Sequence, residues 1–255
     1  MILEEFDFNK EAIINPHDCV EKIEGMPKVA VACFEHKTFN RLLDCLECEQ
    51  VSSIKNANGA EPVYKTIYKD KEIALFMMDM GAPGASGDLE EVYAMGVDTV
   101  IVYGSCGVLD KNIGDHSVII PTSAVRDEGV SYHYAPPSDE IKANVKYMEE
   151  FTTLLDEIKC SYITGKTWTT DAFYRETREK MERRKAQGCI CVDMECASLA
   201  AVAQFRDKAC LQFFWAADSL DGEEWDQRSL SSNVKFDEKD GFSRLALELA
   251  VRIQK

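Results

Sequence analysis

The sequence predicts a three-layer α/β/α fold around a central, mostly parallel mixed sheet, built as a single domain over residues 1–255. Three observations predict it. Short apolar runs of strand length alternate along the chain with longer segments of helical spacing. One run, Val97 to Tyr103, is nearly unbroken in β-branched and apolar residues, which suits a strand buried on both faces. No internal repeat or low-complexity linker interrupts the alternation, so nothing marks a second domain.

In order, Lys28 to Cys33 reads as a strand, followed by a helical pattern from Thr38 to Cys48. Glu72 to Met78 is strand-like. Met80 to Ser86 is rich in Gly and Pro and predicts a loop, before helical spacing from Gly87 to Met95. The buried run from Val97 ends in Gly104-Ser-Cys-Gly107, which predicts a turn. His116 to Pro121 is a further strand, and Ser138 to Lys159 predicts one long, polar-faced helix. Ser161 to Thr167 and Cys189 to Val192 are short strands flanking a charged helix, Arg175 to Ala186. Glu195 to Phe205 is a helix of small residues, suited to close packing on a sheet. Ala209 to Ala217 is the last strand, and Phe242 to Ile253 an amphipathic closing helix.

Composition narrows the function. No apolar stretch approaches the ~20 residues of a membrane span. Glu4, Glu5 and Asp7 stand where a secretory signal would be basic and then apolar, so a cytoplasmic protein is expected. A net charge of −16 repels polyanions, which argues against nucleic acid as a partner but not against a small anion in a local pocket. The 10 cysteines read as reduced, buried, small apolar residues. Cys45 and Cys48 within the predicted helix, with Cys189 and Cys191, have the number of thiolates for a zinc site. They lack the Gly-rich knuckles of one, so no metal is expected.

Four segments carry residues suited to chemistry, each at a predicted strand end, where open α/β sheets bind ligands. Gly104-Ser105-Cys106-Gly107 is either an ordinary Gly-rich turn or a nest of outward N–H groups for an anion. Asp193-Met194-Glu195 lies where a strand hands over to a helix. One carboxylate there can cap the helix, while Glu195 can accept paired hydrogen bonds from neighbouring hydroxyls. Asp218 follows an apolar strand, and desolvation there raises a carboxyl pKa toward general-acid use; an Asx turn is the plainer alternative. Arg228, a loop further on, is placed to steady Asp218 once ionised. Thr169-Thr170-Asp171-Ala172-Phe173-Tyr174 offers an aromatic face, either for a heterocyclic base or for the core.

Together, and in this order, these segments resemble the nucleoside phosphorylase superfamily, which includes purine nucleoside phosphorylases, uridine phosphorylases and adenosylhomocysteine-type nucleosidases. The resemblance runs from about Val29 to the C-terminus, and Arg126 to Tyr134 also resembles a stretch common there. It implies a phosphorylase-like fold and a role for each position. Ser105, Cys106 and Gly107 would hold phosphate. Asp193, Met194 and Glu195 would form the ribose motif, with Glu195 on the 2′- and 3′-hydroxyls. Phe173 would pack on the base, and Asp218 would protonate purine N7. The resemblance implies no cofactor beyond inorganic phosphate as co-substrate, a nucleoside partner and a homo-oligomer. Thr177-Arg178-Glu179 replaces the Gln-x-Arg of uracil-specific members, which favours a purine.

Two departures concern the nucleophile. The family's phosphate arginines correspond to Thr38 and Val102 here, and a dianion without guanidinium partners is held less well. His36, Lys37, Arg41 or a neighbouring subunit are the expected substitutes. The main expectation is phosphorolysis of a purine nucleoside. The alternatives are a nucleosidase using water, with Glu35 as a counterpart of that group's acidic residues, a uridine phosphorylase, and a non-catalytic nucleoside-binding protein.

Overall fold

A computed structural model of the chain describes residues 2–57, 59–230 and 236–254. The elements begin with a short helix α1 (Pro16–Cys19), strand β1 (Val29–Cys33) and helix α2 (His36–Asp44). A hairpin of β2 (Cys48–Asn56) and β3 (Gly59–Tyr68) leads into β4 (Lys71–Met77), α3 (Ala82–Met95) and β5 (Thr99–Val108). Then come β6 (Val118–Asp127), α4 (Ser131–Tyr134), β7 (Glu140–Lys142), α5 (Met148–Glu157) and β8 (Tyr162–Thr170). The chain continues through α6 (Arg178–Ala186), β9 (Cys189–Asp193), α7 (Cys196–Phe205), β10 (Ala209–Ser219) and α8 (Phe236–Arg252).

The strands form one mixed sheet. Its centre is parallel: β1 lies between β4 and β5, β5 also pairs with β10, and β6, β8 and β9 run parallel in sequence. Antiparallel pairing is confined to the β2–β3–β4 edge, to β7 on β6, and to two short seams, β10–β6 and β5–β9. Those seams close β5, β10, β6, β8 and β9 into a ring. Twist accumulated across the sheet brings the strands back together. No motif in the sequence announced this closure.

Helices cover both faces, as expected. Val31, Leu75, Ile101, Tyr103, Phe213 and Trp215 point to one side, under α2, α5 and α8. Their neighbours Ala30, Ala32, Phe76, Val100 and Val102 point to the other, against α3 and α7. With both sides buried, period-two alternation vanishes from the sequence and a continuous apolar run remains.

Several expectations need correction. Gly104 to Gly107 is not a turn: it is extended within β5 and pairs with Phe214 to Asp218 of β10. Successive N–H groups of an extended strand point to alternate sides, so they do not converge as in an anion nest. The helix expected over residues 138–159 is confined to α5, preceded by β7 and by a loop with left-handed Asn144 and Tyr147. Buried Asn144 pins that loop, donating to the carbonyls of Pro121 and Gln212 and accepting the Gln212 N–H at 2.7 Å. The helix expected to run to Cys48 stops at Asp44, so Cys45 and Cys48 straddle a helix end and a strand start. Helix α3 already begins at Ala82, within the expected loop.

Candidate active site

A cavity of about 730 Å³ opens at the ends of β5, β9 and β10. It gathers eight of the nine positions singled out from the sequence. Ser105, Cys106 and Gly107 come from β5, Asp193 from the end of β9, Met194 and Glu195 from the step into α7, Asp218 from β10, and Phe173 from the turn after β8. Arg228 is not among its lining residues.

Asp193 and Glu195 do different things. Asp193 Oδ2 accepts the N–H groups of Glu195 (2.8 Å) and Cys196 (2.5 Å), capping α7. Its Oδ1 accepts the hydroxyls of Thr167 and Thr169, each at 2.9 Å. Four hydrogen bonds thus occupy this carboxylate, one of them to the Glu195 N–H, while Asp193 also lines the cavity. Glu195 itself accepts the Gly81 N–H at 2.6 Å and lines the cavity. Burial and the Asp193 charge push its pKa up to about 8, against the amides of Gly81 and Met194. A carboxylate so poorly solvated is improved by further donors, and its remaining lone pairs can accept from the hydroxyls of a ligand.

Asp218 sits at a β-bulge that follows Ala216 and pairs with Gly107. The indole N–H of Trp225 donates to its Oδ2 at 2.7 Å. Burial raises its pKa, with Trp225 and the field of Arg228 pulling the other way. Arg228 does not bond to Asp218: its guanidinium donates to Asp226 Oδ2 (3.2 Å) and to the Ile113 carbonyl (2.8 Å). Arg228 thus reaches Asp218 through its field and through no hydrogen bond. The buried Cys106 thiol donates to the Trp215 carbonyl at 3.6 Å, and burial holds it well above the ordinary thiol pKa.

The sequence reading missed several lining residues, including Phe34, Met80, Glu176, Arg178 and Trp225. Exposed Met80, Phe173, Tyr174 and Trp225 make an apolar rim, and the Phe173 and Tyr174 rings lie 4.0 Å apart. Such a rim suits a flat aromatic ligand. Glu176 is pushed up to about 7 by burial and by the charges of Asp218 and Asp193, with Lys180 opposing. Arg178 donates to the carbonyls of Leu220, Gly222 and Glu223.

On the opposite side, Val102 is buried in the apolar core and Thr38 is fully buried, its hydroxyl donating to Glu35 Oε2 at 2.6 Å. Of the substitutes expected, Arg41 is bound to Asp240 and Asp237 of α8. His36 and Lys37 are exposed on the first turn of α2.

Comparison with known proteins agrees with this architecture. Residues 28–253 match the family model of the phosphorylase superfamily. A DeoD-type purine nucleoside phosphorylase from Colwellia psychrerythraea is 26% identical over 71% of this chain and 76% of its own. A guanosine phosphorylase from Halorubrum lacusprofundi is 24% identical over 74% of this chain and 77% of its own. Among solved structures, uridine phosphorylase from Vibrio fischeri superimposes with a TM-score of 0.74, at 22% identity, covering 94% of this chain and 98% of that one. Purine nucleoside phosphorylase from Toxoplasma gondii, in complex with immucillin-H, gives 0.75 at 18% identity over 90% and 93%. At these identities the two structures speak for the fold.

Proposed function

The chain belongs to the phosphorylase superfamily, and within it we propose that it is a nucleoside phosphorylase that cleaves the N-glycosidic bond of a purine nucleoside with inorganic phosphate. The observation that carries this reading is the shared cavity in which buried Asp218, Glu195 and the rim aromatic Phe173 meet. Phe173 packs on the base. Glu195 accepts the 2′- and 3′-hydroxyls of the ribose. Protonated Asp218 gives its proton to N7 as the C1′–N9 bond breaks, so the base leaves neutral. A phosphate oxygen on the Ser105 side bonds to C1′, and the products are free base and ribose 1-phosphate.

One observation favours water as the nucleophile instead. Glu176, Asp193, Glu195 and Asp218 all line the cavity, and the guanidinium of Arg178 is engaged by loop carbonyls. An anion entering this space is repelled by each of these carboxyls that is ionised. Product analysis separates the readings: inosine, guanosine, adenosine and uridine are each incubated with and without phosphate. Phosphate-dependent release of purine with ribose 1-phosphate is expected. Free ribose formed at one rate under both conditions marks a hydrolase, and cleavage of uridine alone overturns the purine assignment.

Gly107 provides a further check. A Cβ there would lie 2.6 Å from Leu220 Cδ1, 3.1 Å from Asp218 Oδ1 and 3.2 Å from Val192 Cγ1. Gly107→Ala therefore pushes directly on the acid. Because small misplacements of catalytic groups are costly, kcat is expected to fall about 10- to 100-fold. Measured kcat equal to wild type would show that Asp218 tolerates displacement.

A further inference from the structure

Lys239, on the first turn of α8, is a buried cation that the chemistry above does not use. It is 2% exposed, and its ammonium pairs with Glu35 at 3.0 Å to Oε1 and 3.2 Å to Oε2. The same ammonium lies 6.0 Å from the centre of the Trp215 ring. Trp215 is 3% exposed, and its indole N–H has no hydrogen-bond acceptor among the described residues. A buried donor without an acceptor costs free energy, and a bound ligand would supply one.

These groups do not themselves line the cavity but neighbour residues that do. Trp215 pairs in register with Ser105, which is exposed and lines it. Glu35 directly follows Phe34, another lining residue, whose ring packs on Gly104. One turn beyond Lys239, Ser243 hydrogen-bonds Tyr103 of β5 at 2.8 Å, fixing α8 over this end of the sheet. The ammonium and the indole thus stand near one carboxylate, Glu35, which also accepts the Thr38 hydroxyl at 2.6 Å, and the Ser105 hydroxyl belongs to the residue in register with Trp215. Donors outnumber acceptors. The complementary ligand is a small oxyanion rich in acceptors that retains a proton of its own to give to Glu35.

We propose that Lys239, the Trp215 indole N–H and the Ser105 hydroxyl form the phosphate subsite of this protein, with the lysine standing in for the arginines absent at Thr38 and Val102. The inference rests on the phosphorolysis reading above. Hydrogenphosphate fits the set. Its oxygens accept from the three donors, and its P–OH donates to Glu35, so the carboxylate becomes a partner of the anion rather than a repelling charge.

Kinetics in phosphate and direct titration test the subsite. Lys239→Met is expected to raise the KM for phosphate about 10- to 100-fold, the scale of a lost charge-assisted hydrogen bond. The KM for nucleoside should stay close to wild type, and Lys239→Arg should recover most of the loss. Trp215→Phe removes the N–H while keeping a ring, and should raise the KM for phosphate several-fold. Should Lys239→Met fail to fold, the Arg and Phe variants decide. Ribose 1-phosphate formed with an unchanged KM for phosphate in folded Lys239→Met, or in Trp215→Phe where that variant does not fold, overturns the subsite and leaves phosphorolysis standing. Phosphate-independent release of free ribose overturns phosphorolysis instead. Calorimetric titration of inorganic phosphate into the wild type and Trp215→Phe then decides the subsite: weaker binding in the variant supports it, and equal or absent binding sinks it.

Discussion

Asp218→Asn is expected to lower kcat on a purine nucleoside by about 10²–10⁴-fold, the usual worth of general acid catalysis. The fold should survive. An amide has nearly the shape of the carboxylic acid, and its oxygen can still accept the Trp225 N–H that Asp218 takes at 2.7 Å. The pH profile makes the test specific. Burial raises the pKa of Asp218, and only its protonated form can deliver a proton to N7. Wild-type activity should therefore be lost as pH rises through that pKa, while the residual activity of the Asn variant should not follow the same limb. Near-wild-type turnover by the variant would remove Asp218 from the mechanism.

Glu195→Gln is expected to separate function from stability. Against ribonucleosides, kcat/KM should fall about 10- to 100-fold, since hydrogen bonds to a charged acceptor are worth roughly 1.5–3 kcal/mol. Against 2′-deoxynucleosides the loss should be smaller, and equal losses would show that Glu195 does not touch the 2′-hydroxyl. Stability should move the other way. The folded protein holds this carboxyl at about 8, above its ordinary value of 4.5. The contribution of the raised pKa is complete below pH ~4.5 and is lost as pH climbs toward 8, because the unfolded chain ionises first. Gln does not titrate, so the variant should be more stable than wild type by roughly 1–3 kcal/mol at pH 8, less than the full shift because the Gly81 bond weakens too. No such gain should appear at pH 4. Denaturant melts at the two values check the sign.

The parts of the molecule legible in the sequence are those whose neighbours hide them on both sides. β1 and β10 are buried along their length and β5 everywhere but at Ser105, and their apolar runs stood out. Polar residues at the ends of such runs were easy to single out, which is how Asp218 and Glu195 emerged. The hairpin of β2 and β3 escaped because it is an exposed edge with weak alternation. Gly104 to Gly107 looked like a turn because glycine favours turns, whereas close approach by Phe34 and Leu220 is what calls for glycine there. Asp193 could not be told from Glu195 until Thr167 and Thr169, from another strand, were seen to occupy it. Glu176 and Trp225 lie in loops, and the burial of a loop carboxyl is decided by distant packing that leaves no local pattern. The ring closure depends on two seams of two residue pairs each, too short to announce themselves.

That ring divides the labour of adaptation. Ser105, Asp193 and Asp218 stand on strands of that closed circuit, each tied by register to a neighbouring strand: Ser105 to Trp215, Asp193 to Thr169 and Asp218 to Gly107. Phe173 and Trp225 project from connecting segments outside the circuit and bear no ladder. On the function proposed above, bond cleavage and base choice would fall to mechanically separate parts. On that reading, lineages of such a protein could exchange one heterocycle for another by rewriting the rim, while the stave-like walls that carry Asp218 and Ser105 stay where they are.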